Sequence, residues 1–175
     1  MNTSLEQALA NIGLRDAGAL PGMPLVLTGQ HEMRDQLLLL TRNAERQLAI
    51  WSLGLDTGLF ETTAFLDALK RFVLARRHTR VRVLIPHMPS SEHRHGLLAM
   101  AERLPASFEI RTIDNAPLDA GELFLSDYRG VLYRIHMDRW DGMSNHNDVL
   151  VARFYLAQFD ASWSMATPIE RVTEV

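Results

Sequence analysis

No cysteine occurs anywhere in the 175 residues. Disulfide bonds, thiolate metal sites and a cysteine nucleophile are therefore excluded. Lysine is almost as scarce: Lys70 is the only one among 18 basic residues, a bias that reads as codon usage in a GC-rich genome more readily than as function. Long apolar runs are missing too. None, the leucine run at residues 37–40 included, approaches the roughly 20 residues that span a bilayer. The first 18 residues include Glu6 and no apolar core of signal-peptide length, so the expectation is a soluble, cytoplasmic protein. There is no excess of positive charge either. The net charge is −3 and the pI is near 6.1, which argues against a strongly basic nucleic-acid binder while leaving a local patch open. The Walker A loop, the G-x-G-x-x-G turn, the G-x-S-x-G elbow and the acetyl-CoA phosphate loop are all absent. No cofactor is expected.

What is present is a chain of one-domain length with 47% apolar residues, enough to close a core without staples. Residues 4–12 read as a short amphipathic helix, and 18–24, with two Pro and two Gly, as a loop forming an N-terminal extension. Residues 25–27 are a short strand candidate, followed by a helix over 30–43. Residues 47–53 suggest a buried strand. Residues 61–77 form the clearest helical pattern, with Phe65, Leu69, Phe72 and Val73 on one stripe. Residues 79–85 are the clearest strand, stopped by Pro86. A helix is expected over 91–104, with Ser90 or Ser91 as N-cap. A strand follows over 108–113. A hairpin then pairs 123–126 with 131–135 around Asp127-Tyr128-Arg129-Gly130, with Gly130 free to take a positive φ. After a polar loop at 136–148, a helix over 149–165 closes the chain with Phe154, Phe159 and Trp163. This alternation predicts an α/β fold, a mixed and mostly parallel sheet with helices on both faces.

Three segments carry residue types capable of chemistry. HMPSSEHRH at 87–95 holds three His, but His93 and His95 point about 200° apart on a helix, and a metal needs three or four converging ligands. No metal site is expected there. The helix start at Ser90-Ser91 could hold an anion beyond a strand end, or simply be an exposed N-terminus. IHMDRWDGMSNHND at 135–148 offers His136, Asp138, Asp141, Asn145, His146 and Asn147 for a cation or for acid–base work. The alternative is a structural loop with Trp140 pinned on the fold and a turn at Asp141-Gly142. From Lys70 to Arg82 the chain carries Arg71, Arg76, Arg77, Arg80 and Arg82 and no acid. A phosphate-rich partner could use this basic segment. Cations also belong at a helix C-terminus, however, and no aromatic residues interleave as base-stacking platforms would.

From about residue 47 to residue 163 the order of elements resembles one half of a phospholipase D superfamily protein. RVRVLIP at 80–86 resembles that repeat's Arg-rich strand, and FEIRTI at 108–113 the strand before its signature hairpin. The superfamily motif is His-x-Lys-x4-Asp. In AGELFLSD at 120–127, Asp127 fits the Asp, while Ala120 stands at the His position and Glu122 at the Lys position. Where the superfamily has Gly-Ser-x-Asn, this chain has RIHM at 134–137. Asn147-Asp148 and FDASW at 159–163 resemble later features of the repeat. The chain more closely resembles an uncharacterised bacterial domain family of this degenerate type, sometimes fused to or encoded near acetyltransferases. The resemblance implies a domain without the superfamily's covalent chemistry. Ala120 cannot attack phosphorus, and Glu122 puts negative charge where a phosphate must sit. Two like charges about 4 Å apart cost ~4 kcal/mol at an effective dielectric of 20. The resemblance also implies pairing of two half domains, hence a homodimer or another protein partner, with a cleft near Asp127 and the 135–148 loop. A hydrolase of unrecognised type using that loop, and an anionic-ligand binder using the 70–82 segment, remain open readings.

Overall fold

The computed structural model describes residues 22–89, 95–114 and 121–169. The expected helix at 4–12, the Ser90-Ser91 helix start, His93 and Ala120 lie outside these residues.

The order of elements is β1 (Leu25–Leu27), α1 (Gln30–Asn43), β2 (Gln47–Ser52), α2 (Thr57–Phe60), α3 (Thr63–Ala75), β3 (Arg80–Ile85), α4 (Gly96–Arg103), β4 (Phe108–Thr112), β5 (Glu122–Ser126), β6 (Gly130–Arg134), β7 (Gly142–Asn145), α5 (Val149–Met165) and β8 (Thr167–Pro168). All eight strands join one sheet in the order β1-β7-β6-β5-β2-β3-β4-β8. The fold is α/β with helices on both faces, as the alternation predicted. The expectation of a mostly parallel sheet is corrected. Only β2–β3 and β3–β4 run parallel, while the other five pairings are antiparallel. The reason is topological: only two helical crossovers connect neighbouring strands, and the chain then returns along the other side of β2 as a meander.

Helices α1, α2, α3 and α4 cover one face. Met33, Leu37 and Leu40 of α1 and Phe65, Leu69, Phe72 and Val73 of α3 meet Leu48, Ile50, Val81, Val83 and Phe124 of the sheet. The Thr62 hydroxyl caps α3 by accepting from the Phe65 amide at 3.3 Å, which is why that helix starts two residues later than its apolar pattern suggested. Helix α5 covers the other face. Ala152, Leu156, Phe159 and Trp163 pack on Ala49, Trp51, Leu84, Leu123, Leu125 and Val131, and the Asp148 carboxylate accepts from the Val151 amide at 3.0 Å at its start. Because β2 and β3 are covered on both sides, nearly every residue in them is buried.

Two local expectations change. The supposed polar loop at 136–148 contains β7, whose Gly142 lies opposite Arg134. A Cβ at Gly142 would meet the Tyr133 carbonyl oxygen at 2.2 Å, so the strand needs glycine there. In the β5–β6 turn, Asp127 rather than Gly130 takes the positive φ, at 53°. Gly130 is required for space instead: a Cβ there would lie 2.7 Å from Leu40 Cδ2. No helix among the described residues is long and apolar enough to cross a membrane.

Candidate functional site

The carboxyl ends of the parallel strands are where an open α/β sheet ordinarily holds a ligand. Here they carry a buried charged cluster. Hairpin register sets Glu122 on β5 directly across from Arg134 on β6, and Ser52 of β2 on its other side. All three lie on the face covered by α1 to α4, because they alternate in phase with Phe124, Leu132 and Ile50. After β2 the chain turns through Leu55, which adopts a positive φ of 49° and delivers Asp56 to the same place.

Arg134 is 2% exposed. Its Nη1 donates to Asp56 Oδ2 at 2.8 Å and to Glu122 Oε2 at 3.3 Å. Its Nε donates to the Arg139 carbonyl at 2.8 Å and its Nη2 to the Met137 carbonyl at 2.6 Å. The Trp140 ring lies over the guanidinium, 3.7 Å from Cζ to the ring centroid. The Ser52 hydroxyl donates to Glu122 Oε1 at 3.1 Å and accepts from the Leu55 amide at 2.8 Å. Asp56 Oδ1 accepts from the Gly58 amide at 2.8 Å, so this carboxylate also caps α2. Met137 lies over the cluster, within van der Waals range of a Cβ at Gly54 or Gly121.

One arginine thus faces two carboxylates. Burial pushes the Glu122 carboxyl up to about 7. Arg134 opposes that shift, the nearby Asp56 charge adds to it, and the hydrogen bonds from Ser52 and Arg134 again oppose it. Desolvation prevails because a carboxylate loses more on leaving water than a shared guanidinium returns. Such a group can hold or release a proton near neutral pH, but four of the five N–H donors of Arg134 already bond protein acceptors and the Trp140 ring covers its guanidinium.

The seven residues proposed for a cleft are split between the two ends of β5–β7. At the opposite end from Glu122, Asp127 binds three successive amides: Glu45 N at 3.0 Å, Arg46 N at 2.8 Å and Gln47 N at 3.1 Å. It thereby ties the β5–β6 turn to the α1–β2 connection. Asn145 and Asn147 lie near that same end, where the Asn145 amide group reaches the Gly22 carbonyl and Asp148, each at 3.4 Å, and its Oδ1 accepts from the Asn147 amide. His146 sits 2.6 Å from Gln36 Oε1, and burial lowers its pKa. His136, Asp138 and Asp141 follow β6 at the Arg134 end, the first two exposed and Asp141 3.7 Å from Arg139. A five-residue strand, about 16 Å long, separates the two groups.

The basic segment is likewise divided by the sheet. Arg82 points to the α5 face, 2.7 Å from Asp160 and over the Phe159 and Trp163 rings. Arg71 and Arg76 belong to the α3 side, beside a groove shared with Arg42, Glu45 and Asp67, and Arg76 lies 3.6 Å from Glu45. Arg77 and Arg80 are exposed. In the histidine segment, His95 is buried with Nδ1 3.3 Å from Glu61 Oε1, and Glu61 also accepts from the Gly96 amide at the start of α4. No group of three His, Asp or Glu residues among the described residues is placed to hold a metal.

Sequence reasoning put Glu122 at the superfamily's Lys position but missed Arg134, Asp56 and Ser52. The signal was available: RIHM replaces Gly-Ser-x-Asn, and a hairpin centred on 127–129 places 134 opposite 122. Arg134, on the next strand, is the cation that faces Glu122, with the Trp140 ring over its guanidinium.

Solved structures with the same fold include Nuc from Salmonella typhimurium, described as a phospholipase D family member, at TM-score 0.58 and 16% identity over 85% of this chain and 100% of that one. NucT from Helicobacter pylori aligns at TM-score 0.61 and 11% identity, over 84% of this chain and 99% of that one. The archaeal chromatin protein TrmBL2, described as having a novel mode of DNA binding, aligns at TM-score 0.60 and 13% identity over 95% of this chain. This chain spans 62% of that protein's length. At these identities the likeness establishes a phospholipase-D-like fold and nothing further. No curated protein matches in sequence. The family model for the domain of unknown function DUF7931 matches residues 29–174, and the chain belongs to that family.

Proposed function

We propose that this is a non-catalytic phospholipase-D-like domain that serves as a binding module and pairs with a second copy of itself. One observation carries the first half of this reading: the guanidinium at the strand ends is buried, with four of its five N–H donors bonded within the protein. A phosphodiester would need a free cation there to hold its oxygens. Arg134 instead faces Asp56 and Glu122, two carbonyls and the Trp140 ring. The Lys position of the related motif holds an acid, and residue 120 at the His position is alanine. The second half rests on the resemblance to a family of half domains that work in pairs. An acetyltransferase-type partner belongs to the same reading on the same resemblance, and a cytoplasmic location on the lack of long apolar runs in the sequence.

The test is turnover of bis(p-nitrophenyl) phosphate by the purified full chain, alongside binding of inorganic phosphate by calorimetry. No turnover above buffer and no phosphate heat are expected. Turnover that vanishes in Asp138→Asn or His136→Ala would overturn the reading in favour of a hydrolase built on the 135–148 loop. Tight binding to DNA that weakens steeply with salt, and that Arg77→Ala with Arg80→Ala reduces, would overturn it in favour of the basic segment.

A further inference from the structure

Helix α5 is apolar on both sides. Its buried side carries Ala152, Leu156, Phe159 and Trp163 against the sheet. Its opposite side carries Leu150, Phe154, Ala157, Ala161 and Met165, all exposed, with Leu150 84%, Phe154 61% and Met165 74% exposed. The spacings of four, three and four residues from 150 to 161 are those of a helix–helix seam. At 100° per residue the five positions fall within an arc of about 80°, opposite the buried stripe. A stripe this large and regular, on the one helix covering its sheet face among the described residues, is unlike scattered surface apolars.

The distribution along the seam selects the occupant. Along the seam the order is two large side chains, Leu150 and Phe154, two small ones, Ala157 and Ala161, and then Met165. Two copies crossing antiparallel about a two-fold axis near residue 157 set each Phe154 over the partner copy's alanines and each Leu150 beside the partner copy's Met165. A parallel pair would stack Phe154 on Phe154 and leave a void between alanines. Charge agrees. Arg153 and Asp160 occupy equivalent flanking positions seven residues apart, and the antiparallel arrangement brings each Arg153 beside the partner copy's Asp160, which its own Arg82 already orients. In a parallel pair Arg153 faces the neutral Gln158 instead. We infer that the domain self-associates through the outer face of α5 as an antiparallel, two-fold helix pair. This rests on the pairing half of the function proposed above and names its surface. The helix is about 26 Å long, so the interface is at the small end of specific contacts and its dimer should dissociate in the micromolar range.

Sedimentation of the full chain from about 1 to about 200 µM should show a monomer–dimer equilibrium. Phe154→Glu should weaken it more than tenfold, and Arg153→Glu, which sets like charges together, about three- to tenfold. Both side chains are exposed, so the circular dichroism spectrum should not change. Because the chain has no cysteine, single introduced thiols report geometry directly even if a glutamate variant fails to fold. With a short bismaleimide, Ala157→Cys should give a covalent dimer. Leu150→Cys should not, since the two thiols would stand roughly 15–20 Å apart along the axis. A monomer at every concentration, a dimer untouched by Phe154→Glu, or equal cross-linking at both positions would each overturn the inference. The first two outcomes are those expected if residues 1–21 or a different protein covered the seam. Failure here leaves the non-catalytic reading intact, because that stands or falls on phosphodiester turnover.

Discussion

The two ends of the β5–β6 hairpin solve the same problem, a buried or half-buried acid, in opposite ways. At the turn, Asp127 meets backbone amides, three of them from one continuous segment. At the strand ends, Glu122 meets a side-chain cation that it must share with Asp56. Amide donors are fixed by the backbone and carry no desolvation cost of their own charge. A buried guanidinium has lost its water as well, so that pair gains little beyond cancelling its own burial penalty. The first end is a structural tie. The second is a charged cluster beneath the Trp140 ring, at the carboxyl end of β2.

The contrast can be broken most forcefully at Arg134. Arg134→Met should cost about 3–5 kcal/mol in chemical denaturation, because it strands the buried Glu122 and the partly buried Asp56 carboxylates. Adding Glu122→Gln to that variant should recover part of the loss, and a double variant no better than the single one would show that the pair is not coupled. Asp127→Ala should cost about 1–2 kcal/mol, from the loss of three hydrogen bonds to largely exposed amides and a left-handed backbone that alanine resists. The same variant should leave the pH dependence described next unchanged.

That dependence sharpens the comparison. Glu122 is held at about 7 in the folded protein against 4.5 as its ordinary value, so the folded state keeps a proton that the unfolded chain has already lost. Its contribution to stability is complete below about pH 4.5 and is lost as pH rises through 7. From pH 5.5 to 8 this group alone should lower the unfolding free energy by about 2 kcal/mol. Glu122→Gln should flatten that slope; an unchanged slope would place the titration elsewhere. A similarly small effect is expected at the lid. Trp140→Ala should cost about 1–2 kcal/mol through the lost ring–guanidinium contact, and should make the pH slope shallower as water reaches Glu122.

Much of this architecture was readable in advance. Helices α1 and α5 and strand β1 fall where periodicity and capping put them, and the stripe Phe65, Leu69, Phe72, Val73 is the buried face of α3. The helices announce themselves because each buries its own local pattern, whereas β1 shows only as a short apolar run of which Leu27 alone is buried. Strand β7 did not: GMSN has neither apolar alternation nor β-branched residues, and it is a strand because β6 and β1 offer it hydrogen bonds on both edges. The sheet's sense was misjudged for a related reason. Alternation of elements counts crossovers without revealing on which side of β2 the chain comes back. At the site, Glu122 was noticed for what it lacks relative to a known motif, whereas Arg134 passed unnoticed because an arginine in a polar neighbourhood looks solvated.

Composition and local periodicity were sufficient to establish an α/β domain with no thiol chemistry, since those are properties of residue identity and near neighbours. That Glu122 is matched by Arg134 and Asp56, that Arg82 turns away from the other arginines, and that Asp127 lies a strand's length from His136, Asp138 and Asp141 all depended on register and on the face of the sheet each residue occupies. Register shifts a side chain from one face to the other with every residue. Charges therefore acquire their partners, and their chemistry, only when the strands have been paired.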